Sequence, residues 1–554
     1  MRRIILIFGV MTMVSGFCVA QTTYNLDIIW QKQGPDTIEI RAWGIALGGG
    51  DVNGDGKSDV IIASEANYND GGFTGRVYIF TDLLDTVPDV TLIGDTICSA
   101  YGHVICTGDF NGDGYFDVAV GAPEDNDLDF GRVYIYYGGN PMDNTPDWIK
   151  TNNISGERFG QSLSSGDING DGIDDLIIGS PNYGESNARG RVYIYYGDTL
   201  GLHTWPDIIL NGHTEAGYYE NFGNSIDGTE DMNHDGYNDL IVGAYLNAKN
   251  ANSAGKVYCY LSDNAPIDTI ADGWVYGEGY EQWLGAFGLS SIMTDTSDFS
   301  HVGWYGTPIW NNPSGGFGRG KCYMVPGDIL GEIAPLWIIT GNDLTDSALG
   351  YWSCSAGYAD NDKLGDMLAS ALVAFGDPGK VYLWLRRANM RQQPDAYIIG
   401  RASTPGGDAL GGKIAPAGDV DGDGRDEFLV SNYFADTDHM VWLCKYTGPD
   451  GVAGEPEFRI QNSEFKIYQN APNPFCQITN IKYQIAKSGQ ISLNVYNIAG
   501  QLVRALVNEN KKMGSYEVEW NGRDNRGQRV SNGVYIYKLN MEGKCIAKKM
   551  TLLR

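Results

Sequence analysis

The sequence predicts an all-β chain, a seven-bladed β-propeller followed by a small β-sandwich, on three observations. Five loops rich in Asp, Asn and Gly share one grammar. A Gly-[Arg/Lys]-x-Tyr-like run follows each loop, and an aromatic-Gly or Leu-Gly pair precedes it. These two markers recur seven times, at a period of roughly sixty residues, which signals a repeat architecture.

The loops begin GDVNGDGKSD at Gly50, GDFNGDGYFD at Gly108, GDINGDGIDD at Gly166, EDMNHDGYND at Glu230 and GDVDGDGRDE at Gly418. Positions 1, 3, 5 and 9 hold Asp51, Asn53, Asp55 and Asp59 in the first loop. They hold Asp109, Asn111, Asp113 and Asp117 in the second, and Asp167, Asn169, Asp171 and Asp175 in the third. The fourth has Asp231, Asn233, Asp235 and Asp239, and the last Asp419, Asp421, Asp423 and Glu427. Alternate oxygen-bearing side chains around a glycine turn suit a hard divalent cation, which takes six to eight oxygen ligands. The helical calcium hand closes on a Glu at position 12. Here position 12 is apolar in every loop (Ile62, Val120, Ile178, Val242, Val430), so the shell closes at position 9 and the chain runs on as a strand. The reading is about five structural Ca2+ ions, in the same class as other oxygen-liganded sites.

The strand-three marker reads GRVYIF at 75–80, GRVYIYYG at 131–138 and 190–197, GKVYCYL at 255–261, GKCYMV at 320–325, GKVYLWL at 379–385 and, weakly, MVWLCK at 440–445. The leading marker is Trp43-Gly44, Tyr101-Gly102, Phe159-Gly160, Phe222-Gly223, Phe287-Gly288, Leu349-Gly350 and Leu410-Gly411. Unit five keeps only Asp295 and Asp298, badly spaced, and is expected to bind no metal. Unit six keeps Asp360, Asp362 and Asp366 in phase but has Tyr358 at position 1. In unit three, FGQSLSSG, DLIIGS, RVYIYYG and DIILNG give four strands, and four-stranded antiparallel units repeated radially are propeller blades. NLDIIWQ at 25–31 matches the DIILN run and is expected to sit outside the seventh blade, closing the ring.

These markers resemble the FG-GAP repeat family, the repeats of the integrin alpha-subunit propeller, over roughly residues 24–446. Phe159-Gly160 and Gly121-Ala122-Pro123 nearly spell the family name. The resemblance implies a propeller with calcium loops between the first two strands of a blade. It says less about function, because such propellers serve in adhesion, in lectins and beside enzyme domains.

The tail contains PNPF at 472–475, Gly500-Gln501 and SNGVYIYKL at 531–539, among alternating strands and Asn-Gly turns. It resembles the C-terminal sorting domain of type IX secretion cargo and the related flagellar-hook-capping immunoglobulin-like domain, with Cys476 where that family usually has Asn. The resemblance implies an export or surface-attachment address and the secretion machinery as a partner. The expected organisation is a signal peptide at 1–20, the propeller at 21–446, a linker at 447–463 and the immunoglobulin-like sandwich at 464–554.

Net charge is −30, with carboxylates concentrated in the loops. This argues against nucleic-acid binding, which needs a basic footprint. MRRIILIFGVMTMVSGFCVAQ has the basic start, apolar run and small-residue end of a secretory signal cut after Ala20. No later apolar run is long enough to span a membrane. The eight cysteines after the leader include no CxxC, and Cys98 with Cys106 is one conceivable disulfide beside buried free thiols. GGFGRGKC at 315–322 lacks the Ser/Thr of a phosphate loop and falls on the strand-three marker. There is no HExxH and no GxSxG, so no catalytic or cofactor-binding residue is assigned. The loops away from the calcium hairpins carry Asn182, Tyr183, Asn247, Asn250, Trp310 and Tyr433, a mixture suited to sugar or protein recognition.

The expected protein is therefore secreted or held at a bacterial outer surface, has no transmembrane segment, and binds or adheres to an extracellular protein or glycan. The alternatives are an extracellular polysaccharide-active enzyme and a purely structural surface component.

Overall fold

A computed structural model describes the chain from Thr22 to Leu553, apart from internal stretches of which the longest are 293–301, 308–319, 401–408 and 449–464. The proposed leader at 1–20, Asp295, Asp298, His234, Cys98, Phe287, Trp310 and Tyr433 lie outside the described residues. The chain divides into two compact units, Met1–Ala453 and Gly454–Arg554. Among the described residues no helix is long and apolar enough to cross a membrane.

The first unit is built from β-sheets of four or five strands; among the described residues they number seven. Sheet two shows the pattern: Val104–Gly108, Asp117–Ala122, Arg132–Tyr136 and Trp148–Thr151, paired antiparallel in sequence order. The second strand of each sheet is an apolar run rather than an alternation, and DVAVGA and DLIIGS are buried at every position. Such a run needs both faces of the sheet covered. Each sheet indeed packs against the next. Val133, Ile135 and Ala119 of sheet two meet Phe159, Ile178 and Tyr193 of sheet three in one core. Similar cores join every neighbouring pair, and the last one joins Leu429 and Leu443 of sheet seven to Val60 and Ile62 of sheet one.

The innermost strands are Ile40–Gly50, Val104–Gly108, Ser162–Gly166, Ile226–Asp227, Leu289–Ile292, Leu349–Gly357 and Lys413–Gly418. Each touches the next, and the last touches the first. Leu26–Gln33 is the outermost strand of sheet seven, antiparallel to Met440–Tyr446, so the N-terminal strand joins the last sheet as expected. One strand was not foreseen: Thr22–Tyr24 adds to the outer edge of sheet six, with Tyr24 stacked on Tyr397.

The two repeated markers meet each other. In five sheets the Gly at the start of the third strand bridges to the leading marker of the next sheet: Gly131 to Phe159, Gly190 to Phe222, Gly255 to Leu284, Gly320 to Leu349 and Gly379 to Leu410. This corrects the marker of unit five, which is Leu284-Gly285 and not Phe287-Gly288. Trp283 has the left-handed φ of 54° that the residue before the marker adopts elsewhere, as in Ala100 and Arg158.

Glutamates two residues ahead of the marker fasten two of these junctions. Glu157 is fully buried; it accepts from the Tyr193 hydroxyl at 2.5 Å and from Asn152 at 2.9 Å. Glu220 likewise accepts from Tyr258 at 2.8 Å and from Asn247 at 2.9 Å. Burial raises both carboxyl pKa values, and the hydrogen bonds oppose that rise.

The second unit is a sandwich of a three-stranded and a four-stranded sheet around one core that includes Ile481, Trp520, Leu493 and Tyr537. Phe475 of the PNPF run packs on Trp520, and its backbone bridges to the last strand at Thr551 and Leu553.

Candidate metal centres

Each loop folds around its own side chains. In loop three, Asp167 Oδ1 accepts the backbone N–H groups of Gly170 and Asp171, and Oδ2 that of Gly172. Asn169 Oδ1 accepts from Asp171 N–H, and Asp171 Oδ1 from Ile173 N–H. Loops one, two, four and seven repeat the pattern, with Asp51, Asp109, Asp231 and Asp419 at the hub. The chain reverses at position 6, where Gly56, Gly114, Gly172, Gly236 and Gly424 all have φ between 85° and 91°. A Cβ there would touch nothing within 4 Å, so conformation and not space selects glycine.

Position 9 is the buried corner of each loop. Asp175 Oδ2 accepts from Ile168 and Asn169 N–H, and Oδ1 from Gly197 N–H at the end of strand three. Asp117 and Asp239 do the same with Phe110 and Gly138, and with Met232 and Ser262. The Asp-rich loop and the strand 3–4 turn therefore lie on the same side of a sheet. Burial pushes Asp59, Asp117 and Asp239 up to about 7 and Asp175 to about 8, partly offset by these backbone donors. A divalent cation at the loop would favour the ionised form. The carboxylate and amide oxygens gathered in each loop are the ligand type that a hard cation such as Ca2+ takes. Among the described residues, Asp419, Asp421 and Asp423 each bring a carboxylate oxygen within 4.8 Å of the others.

The loops are also wired to one another. The N–H of position 8 donates to the position 1 carbonyl of the preceding loop: Phe116 to Asp51, Asp174 to Asp109, Asn238 to Asp167 and Asp426 to Tyr358. Ser58 donates to Asp419, which joins the first loop to the last. Unit six keeps this link through its Tyr358 backbone although the position 1 carboxylate is missing. Its Asp366 is fully buried, accepts Arg386 N–H at 2.8 Å and lies near the buried Arg386 side chain.

Elsewhere, among the described residues, Cys106, Cys259, Cys322, Cys354 and Cys444 are free thiols. Burial raises each of their pKa values, so they behave as core side chains. Of the proposed recognition residues, Asn247 is only 2% exposed and serves the Glu220 junction. Tyr183 lies under the Arg191 guanidinium at 3.5 Å, and Asn250 donates to the Gly277 carbonyl. The most exposed apolar side chains occupy strand 3–4 turns on the hairpin side, including Leu200 at 94% and Trp205 at 76%. Composition alone did not single them out.

A family model described as FG-GAP repeat matches residues 43–80, 101–136, 159–195 and 222–260, and one described as FlgD Ig-like domain matches 477–544. Integrin alpha-PS2 of Drosophila melanogaster is 34% identical over 216 residues, 36% of this chain and 15% of that protein. Integrin alpha-5 of Xenopus laevis is 32% identical over 224 residues, 39% of this chain and 21% of that protein. Integrin alpha-IIb of Mus musculus is 36% identical over 189 residues, 32% and 17% of the two chains. The matches thus span about a fifth or less of each integrin subunit. A solved structure of FLGD from P. aeruginosa matches 16% of this chain and 65% of its own at 19% identity, with a TM-score of 0.12, too low to bear on the fold. Residues 43–260 thus match four FG-GAP repeats and resemble the corresponding part of integrin alpha subunits, and residues 477–544 match an FlgD Ig-like domain.

Proposed function

We propose that the chain is a seven-bladed, calcium-stabilised propeller that is exported, after loss of residues 1–20, to bind an extracellular protein or glycan. The supporting observation is the integrin-alpha-like repeat unit with its oxygen-lined loops joined from sheet to sheet. In this reading the ions are structural. They neutralise clustered carboxylates that otherwise repel, and they stiffen one side of the ring so that loops can present a partner site. The partner face is the one carrying Asn182, Tyr183 and Asn250, away from the hairpins. The tail beyond the 447–463 linker acts as an address for secretion machinery or surface attachment.

The rival reading, a polysaccharide-active enzyme with its site inside the ring, needs an acid and a base within reach of the substrate. The inner strands offer Lys413, whose Nζ lies 3.6 Å from the Trp352 ring centre and whose pKa burial lowers to about 8, Cys354, whose thiol burial pushes up to about 12, and the buried Asp227, whose charge adds to that rise. The similarity of the repeats to integrin alpha subunits, and not the chemistry of these side chains, supports the binding reading.

Screening the full chain on protein and glycan arrays, with calcium and with chelator, tests the proposal. Calcium-dependent capture of a defined ligand is expected. Tyr183→Ala with Asn182→Ala should weaken it at least tenfold, and Leu200→Ser with Trp205→Ser should leave it intact. Loss only in the second variant would move the site to the hairpin side. No capture on either array would favour a purely structural component.

A further inference from the structure

Loop seven differs from the others in what faces its carboxylates. Lys445 Nζ contacts Asp421 Oδ2, Asp423 Oδ2 at 2.8 Å and Glu427 Oε1 at 3.2 Å. Its side chain is 14% exposed, and Glu427 is fully buried. The ammonium thus lies within ion-pair distance of three of the four carboxylates that define the loop, and it donates a hydrogen bond to Asp421. Two of them, Asp421 and Asp423, also bring a carboxylate oxygen within 4.8 Å of each other and of Asp419.

Strand register shows that this is peculiar to one sheet. The residue after position 9 pairs with Cys444 in sheet seven, Phe80 in sheet one, Tyr136 in two, Tyr195 in three, Tyr260 in four and Trp384 in six. The next residue along strand three is therefore Lys445, Thr81, Tyr137, Tyr196, Leu261 or Leu385. Among these six sheets, sheet seven alone places a cation at that position.

We infer that Lys445 is the resident cation of loop seven, which closes without calcium while loops one to four take the ion. The inference rests on the calcium reading of those four loops. A calcium ion needs six or more oxygens around it, and a tethered ammonium already engages three of them and repels a second cation. The place of this substitution matters. Lys445 lies on the strand that pairs with the N-terminal Leu26–Gln33, opposite Asp27. Asp419 of the same loop receives the hydrogen bond from Ser58 that joins the first sheet to the last. The Lys57 ammonium donates to the Asp421 carbonyl at 3.4 Å across that seam. The seam where the two ends of the ring meet is thereby fastened by lysines and stays closed when calcium is withdrawn.

Counting tightly bound calcium on the full chain after gel filtration tests this. Wild type should hold about four ions, and Lys445→Met should hold about one more. Asp113→Ala, at position 5 of loop two, should lose one ion, and the matching Asp423→Ala in loop seven should lose none. The second pair decides the matter even if Lys445→Met folds poorly. Equal counts in wild type and Lys445→Met, or an ion lost in Asp423→Ala, would overturn the inference while leaving the other loops as calcium sites. No ion on any of these proteins would overturn the calcium reading itself, and this inference with it.

Discussion

Replacing Gly190 by alanine is expected to destabilise the ring by about 4 kcal/mol or more, the range reserved for backbone clash and strain in a packed interior. Gly190 has φ 81°, and an added Cβ would lie 2.0 Å from the Phe222 carbonyl oxygen and 2.5 Å from its nitrogen. Neither atom can step aside. Gly190 is bridged to Phe222, Phe222 N–H donates to Arg189, and Phe222 is buried in the core between sheets three and four. Gly172→Ala is the control. Its φ is 88° but its surroundings are open, so only the left-handed conformation is penalised, at roughly 1–2 kcal/mol. Chemical unfolding of both variants should show a much larger drop in midpoint for Gly190→Ala. Equal drops would mean that the two markers do not meet as described.

Asp175→Ala should produce the second large effect. Its carboxylate is the acceptor for three backbone N–H groups, from Ile168, Asn169 and Gly197, in a fully buried corner. An orphaned buried donor costs about 1–3 kcal/mol, so about 3 kcal/mol or more is expected along with one lost calcium ion. Asp175→Asn keeps one acceptor oxygen and should fall between the variant and wild type. Chelator should narrow the gap between Asp175→Ala and wild type, because without an ion the wild-type carboxylate is itself held in a site that disfavours its charge. Thermal melts in calcium and in chelator check this, and a gap that widens in chelator would argue that Asp175 does not serve a metal.

Much of this architecture was legible because the repeat writes the same physics several times. Position 6 reads as glycine since its conformation admits little else. The second strands read as strands because a sheet covered on both faces needs an unbroken apolar run, as in DVAVGA. The N-terminal strand could be placed because Leu26–Gln33 copies the pattern of an outer strand that sheet seven lacks. The misses have a common cause. WLGAFG offers two glycines three residues apart, and side-chain type favours Phe287-Gly288. The bridge from Gly255 selects Leu284-Gly285 instead, and a backbone contact between sheets leaves no mark on composition. Asn247 looked like a solvated loop amide, but it is turned inward by Glu220, a partner 27 residues away. Lys445 went unread for the same reason, since its meeting with Asp423 and Glu427 depends on strand register.

The most direct test of the account is thermal unfolding of the full chain in calcium and in chelator, with bound metal counted on the same samples. The account predicts several tightly held calcium ions and a midpoint that falls by many degrees in chelator and recovers when calcium is returned. A chain that carries no calcium and melts at the same temperature in both conditions would contradict it, and the oxygen-lined loops would then be turns closed by their own backbone hydrogen bonds.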